Sequence, residues 1–197
     1  MKQYLDVLKK IMDEGTDRPD RTGVGSRAIF GVPMRFNMAD GFPAVTTKKL
    51  AFEAVKAELL WFLSGSSDVK ELQKLGCHIW DGNANADYWK PKAKFEGDLG
   101  RVYGVQWRSW KSPYTDVPID QISNIISQLK KNPGDRRIIA SSWNPAELDM
   151  MALPPCHLLF HFFCVDKKLS LLMYQRSCDT FLGVPFNIAS ASMFLTI

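Results

Sequence analysis

The side chains that could do chemistry gather late in the chain. Met151-Ala152-Leu153-Pro154-Pro155-Cys156-His157 places a thiol directly behind two prolines. Each proline fixes its own φ and restricts the residue before it. A thiol so presented is either a packed core atom, the commoner fate of free cysteine, or a preset nucleophile. Downstream, Gln175-Arg176-Ser177-Cys178-Asp179 brings an arginine, and Gly183-Val184-Pro185-Phe186-Asn187 brings an amide in a Gly/Pro-framed turn. A thiol of ordinary pKa, about 8.5, is mostly protonated at neutral pH and needs a cationic neighbour to become a thiolate. Arg176 is a candidate for that task and for gripping a phosphate with its planar fork. Earlier, Glu58 sits between Val55 and Phe62 on an apolar helix. A carboxylate there is costly unless paired or used. It either reaches solvent at the edge of the stripe or has a raised pKa and handles protons. Asp20-Arg21-Thr22-Gly23-Val24-Gly25 adds an arginine beside glycines, a loop that could approach a phosphate or be a plain surface turn.

Several other chemistries find no support. His157 beside Cys156 invites a protease reading, but neighbours on a strand face apart, and a Cys–His pair normally comes from distant segments. No His/Cys cluster has metal-ligand spacing. No Walker sequence or GxGxxG is present.

The elements that must position these groups follow from periodicity. Tyr4, Leu5, Leu8, Ile11 and Met12 predict an amphipathic first helix stopped by Gly15. Alternation predicts strands over Ser26 to Asn37, followed by an extended piece at Phe42 to Thr47. A helix is predicted from about Leu50 to Leu63, buried along Val55, Leu59, Phe62 and Leu63, and a short one from Val69 to Leu75. Asp81 to Gly100 reads as a long loop, of the kind that is often functional. Ile122, Ile125, Ile126 and Leu129 mark another helix, ending near Asn132-Pro133-Gly134. Asp135-Arg136-Arg137 then enters a strand, Ile138 to Ser141, where adjacent arginines point to opposite faces. Leu158 to Val165 reads as a strand buried on both faces, with Leu169 to Gln175 as its hairpin partner. Pro185 to Ile197 begins a helix, apolar almost all round, with no stop signal.

Composition fits an ordinary globular protein and, at 197 residues, most simply one domain. The net charge of +4 is spread over scattered Lys-Lys pairs, which suits small anionic ligands better than a nucleic-acid surface. Neither a transmembrane run nor a signal peptide is visible. Four cysteines without CxxC spacing suggest a reduced, cytoplasmic protein.

Taken together, these stretches resemble thymidylate synthase. Asp20-Arg21-Thr22-Gly23, Glu58-Leu59-Leu60-Trp61-Phe62-Leu63, Ile79-Trp80-Asp81 and Gly100-Arg101-Val102-Tyr103-Gly104 carry the first half of the resemblance. Asp135-Arg136-Arg137, Pro155-Cys156-His157, Gln175-Arg176-Ser177-Cys178-Asp179 and Pro185-Phe186-Asn187-Ile188-Ala189-Ser190 carry the second, in the family's order. The resemblance implies an α+β fold, a mixed twisted sheet covered by helices, dimerising through sheets packed face to face. It implies reductive methylation of dUMP to dTMP, with 5,10-methylenetetrahydrofolate as donor and no metal.

Cys156 would add to uracil carbon 6, with Glu58, Tyr103, Arg176 and Asp179 completing the catalytic set. Arg21, Arg176, Gln175 and Ser177 would hold the nucleotide, and Asn187 would read the uracil edge. Arg136 and Arg137 would reach the partner subunit's phosphate site in a homodimer. Asp179, Trp80 and Gly183 would bind the reduced folate.

The chain departs from the family pattern in three ways. Asn83 stands where many members have a second tryptophan. The loop from Ala84 to Glu96 exceeds that of the shortest members. In the family, further strands and helices follow the helix after Asn187, so the natural chain is expected to be longer. Two other readings remain open. A dUMP hydroxymethylase would use the same thiol and folate but release hydroxymethyl-dUMP and tetrahydrofolate. An RNA-binding regulator would show salt-dependent RNA binding, against which the dispersed charge speaks.

Overall fold

The computed structural model describes residues 1–20 and 23–197. In chain order the elements are α1 (Lys2–Glu14), β1 (Thr16–Arg18), β2 (Ser26–Ala28), α2 (Phe52–Ser64), α3 (Val69–Lys74), α4 (Asp81–Ala84) and α5 (Tyr103–Arg108). They continue with β3 (Trp110–Ser112), β4 (Thr115–Ile119), α6 (Gln121–Lys131), β5 (Ile139–Ser141), β6 (His157–Val165), β7 (Lys168–Gln175) and α7 (Val184–Thr196). Every ladder among the described residues is antiparallel: β1 with β2, β3 with β4, and β6 between β5 and β7. The fold is α+β, and the chain forms two compact units.

One unit comprises Met1–Leu50 and Asp179–Ser192. Its core is Tyr4, Val45, Val184 and Ile188, with Met1, Leu8, Met34 and Phe36 packed against them. Helix α1 buries Tyr4 and Val7, while Leu5 and Met12 face solvent. The buried stripe is thus narrower than the sequence pattern suggests. Lys2–Asp6, Lys9–Asp13 and Lys10–Glu14 pairs line its wet side. The expected strand to Asn37 stops at Ala28. Gly31 at φ +72° turns the chain, and Pro33 brings no ladder donor.

The other unit comprises Ala51–Cys178 and Met193–Ile197. Helix α2 ends at Gly65, whose φ of +76° is the left-handed cap that glycine adopts without strain. Helix α5 crosses α2 so closely at Gly104 that a Cβ there would lie 2.3 Å from the Phe62 carbonyl oxygen. Only a glycine permits that approach. It seats Tyr103 beside α2, the helix carrying Glu58. Residues 81–100, expected as a loop, are partly helical and packed. Trp89 and Leu99 are buried, and the Trp89 indole N–H donates to the Asp98 carbonyl at 2.6 Å.

Strand β6 is apolar on both faces but covered on one. Phe160 and Phe162 pack edge-on against Phe194 of α7, whose ring stacks on Trp107 at 5.6 Å. Phe163 and Val165 are exposed, contrary to the expectation of two buried faces. A continuous apolar strand calls for cover on both faces, and at Phe163 and Val165 none is found among the described residues.

Candidate active site

Helix α2 brings Glu58 against Trp80, which lies immediately before α4. The indole N–H donates to Glu58 Oε1 at 2.7 Å. Trp80 is itself packed among Trp61, Phe62 and Tyr103, with ring centroids 5.7–6.4 Å away. One neutral donor in an aromatic wall does not replace the water that a carboxylate loses. Burial therefore pushes Glu58 up to about 7, against a smaller downward pull from the Trp80 hydrogen bond. A carboxyl group poised there can both give and take a proton at neutral pH.

Tyr103 opens α5 and is buried. Its hydroxyl oxygen accepts the Cys156 backbone N–H at 2.7 Å. Burial first, and then the neighbouring Cys156, push its pKa well above the ordinary phenol range, so it stays protonated. Cys156 is half-buried and free of any disulfide. The frame around it is fastened from the far side by Arg176. That guanidinium donates from Nε to the Pro155 carbonyl at 2.8 Å and from Nη2 to the Pro154 carbonyl at 3.0 Å. The Arg176 backbone N–H donates to the Cys156 carbonyl at 2.9 Å, and its guanidinium carbon lies 5.3 Å from the centroid of the Trp143 ring. The prolines set the backbone locally, and an arginine twenty residues later clamps them. Sequence reasoning offered Arg176 for activating the thiol and for gripping a phosphate, and missed this clamp on the Pro-Pro-Cys frame.

His157 turns into the core, away from the half-buried position of Cys156. Its ring lies 4.3 Å from that of Tyr103, with Phe62, Trp107 and Phe160 around it. Nδ1 is buried without a hydrogen-bond partner. Burial lowers its pKa to about 4, so the imidazole is neutral at physiological pH. A second polar cluster also escaped the sequence. Buried Glu147 takes Arg101 Nε at 2.8 Å, Gln106 Nε2 at 2.8 Å and Asn144 Nδ2 at 3.2 Å. It locks the segment before α5 to the segment preceding Pro154.

The remaining candidates fall in three places. Asp179, Gly183 and Asn187 belong to the unit built on α1. Asp179 is exposed, and its Oδ1 accepts the Phe181 and Leu182 N–H groups at 2.9 and 2.7 Å. Its carbonyl oxygen accepts Gly183 N–H, leading into α7, which carries Asn187. Gln175 ends β7, opposite His157, and Ser177 follows it, exposed. Arg136 and Arg137 are exposed in the loop before β5, not within the strand, because Pro133 and Gly134 turn the chain and pairing begins only at Ile139. Arg21 lies outside the described residues. No group of His, Cys, Asp and Glu among the described residues could hold a metal ion. No described helix is long and apolar enough to cross a membrane. A family model described as thymidylate synthase matches residues 2–197.

Proposed function

The chain belongs to the thymidylate synthase family, methyltransferases that carry out the reductive methylation of dUMP, and on that premise we propose how its residues divide the work. Cys156, as thiolate, bonds to carbon 6 of the uracil, and the displaced electron pair makes carbon 5 nucleophilic. 5,10-Methylenetetrahydrofolate supplies the one-carbon unit and the hydride. Glu58, titrating near neutrality, moves protons to and from the pyrimidine through water. Tyr103 assists removal of the carbon 5 proton. Expulsion of the Cys156 sulfur at the end restores the pyrimidine double bond. Arg21, Arg176, Gln175 and Ser177 hold the nucleotide, and Asn187 accepts from N3–H and donates to O4. Asp179 and Gly183 face the folate, with Trp80 offering an edge, since most of its ring is covered.

The observation that carries this reading is the 2.7 Å bond from the Cys156 N–H to the Tyr103 hydroxyl, on the wall that also holds the buried Glu58 carboxyl. The test is incubation with fluoro-dUMP and methylenetetrahydrofolate, followed by mass spectrometry. A covalent ternary adduct on the Cys156 peptide is expected. It should be lost in Cys156→Ala and kept in Cys77→Ala, Cys164→Ala and Cys178→Ala. An adduct on another cysteine, or persistence in Cys156→Ala, would overturn the assignment. dTMP with dihydrofolate as products separates this reaction from hydroxymethylation.

The same proposal includes a homodimer that covers the open face of β6 and completes each phosphate site with Arg136 and Arg137 in trans. Mixing inactive Cys156→Ala and inactive Arg137→Ala subunits should then restore activity, because one heterodimer site carries neither lesion. Proven heterodimers without activity would rule out shared sites.

A further inference from the structure

We propose that Asp135 is a positioning residue of the phosphate grip, holding the Arg137 guanidinium by one edge so that its opposite edge is presented to a phosphate monoester. The inference rests on the reading that Arg137 serves the phosphate of dUMP.

Asp135 follows the turn that closes α6, where its N–H donates to the Asn132 carbonyl at 3.1 Å. Its carboxylate is fixed by backbone and by helix: Oδ1 accepts the Arg137 N–H at 2.9 Å, and Oδ2 accepts Gln128 Nε2 of α6 at 2.7 Å. Onto this anchored group the guanidinium docks with two parallel bonds, Nε to Oδ1 at 3.1 Å and Nη2 to Oδ2 at 3.2 Å. The Asp135 side chain is 9% exposed and that of Arg137 is 88% exposed.

The docking uses the Nε/Nη2 edge. A guanidinium carries five N–H donors in a rigid fork, so both N–H groups of Nη1 and one of Nη2 point away from Asp135. One N–H of Nη1 and the remaining N–H of Nη2 lie side by side as a second edge, which matches two phosphate oxygens. Stability alone explains little here, because an ion pair with one such exposed partner is largely screened by water and contributes little to folding. What the pair provides is orientation. A free arginine must surrender side-chain freedom to bind, whereas one already held by a buried carboxylate has less to surrender. Asp135 also keeps Arg137 firmly cationic.

The test compares dUMP with phosphate-free deoxyuridine on the wild type, Asp135→Asn, Arg137→Ala and the double variant. Asp135→Asn is expected to weaken dUMP binding and raise its KM about three- to tenfold, the worth of ordering one such side chain. kcat and deoxyuridine binding should stay unchanged. In the Arg137→Ala background, Asp135→Asn should add nothing. Gln128→Ala, which unties Asp135 from α6, should move KM for dUMP in the same direction by less. Equal weakening of dUMP and deoxyuridine, no weakening, or losses that add to those of Arg137→Ala would each overturn the inference. If Arg137→Ala itself leaves dUMP binding intact, the phosphate role of Arg137 fails first, and that outcome is distinct from the other three.

Discussion

Two glutamates in the same unit, Glu58 half-buried and Glu147 buried, meet opposite fates. Glu58 has one neutral donor, the Trp80 indole, in an aromatic wall. Glu147 has the Arg101 guanidinium together with the Gln106 and Asn144 amides. Burial pushes both carboxyls up. At Glu147 the Gln106 and Arg101 hydrogen bonds and the charges of Arg101 and Lys111 reverse the push, and its pKa ends below the usual value. At Glu58 nothing reverses it. Burial by itself therefore does not mark a working acid; the charge and number of its donors decide. One carboxyl is built to stay ionised and hold backbone segments together, and the other is left free to change its proton.

Isosteric replacement should separate the two most sharply. Glu58→Gln keeps the shape and an acceptor for Trp80 but cannot carry a proton, so turnover should fall by about 10²–10⁴ while the fold persists. Steady-state kinetics with a melting curve checks both halves. Glu147→Gln should do the reverse. It leaves the buried Arg101 unpaired, at a cost of about 3–5 kcal/mol in denaturant unfolding. Any activity of the surviving folded fraction should remain near normal. Similar phenotypes for the two variants would break the contrast.

The pH dependence of stability sharpens it further, because His157 opposes Glu58. A raised acid contributes stability that is present below its unfolded pKa of 4.5 and lost as pH climbs towards about 7. A depressed base such as His157 contributes stability that is present above 6.5 and lost as pH falls towards about 4. Between 4.5 and 6.5 the two slopes, each about 1.4 kcal/mol per pH unit, nearly cancel. Unfolding free energies should thus slope upward with pH in Glu58→Gln and downward in His157→Gln across this window. Parallel profiles would show that at least one of the two groups titrates normally.

Much of this arrangement was legible in the sequence, at the level where local pattern decides. Helix α6 follows from Ile122 and Ile125 at helical spacing, and the β6–β7 hairpin from two apolar runs around Asp166 and Lys167, both at positive φ. Cys156 and Glu58 stand out from their sequence context, and Tyr103 only through the family resemblance. What escaped depends on contacts between distant segments. Trp80 reaches Glu58 across 22 residues, and Arg176 reaches Pro155 across 21. Neither pairing has a periodic signature, since each arises from how α2 meets its neighbours or from how β7 returns alongside β6. The Glu147 cluster was invisible for the same reason. Arg137 was misplaced into a strand because an apolar run to its right suggested pairing that begins only at Ile139.

The most direct test of the contrast is a carboxyl-resolved titration by NMR with ¹³C-labelled glutamate, Glu58 and Glu147 being assigned through their Gln variants. Glu58 is expected to titrate near 7 and Glu147 below the value of a free glutamate side chain. A Glu58 midpoint near 4.5 would contradict the role of neutral-pH proton carrier proposed for it.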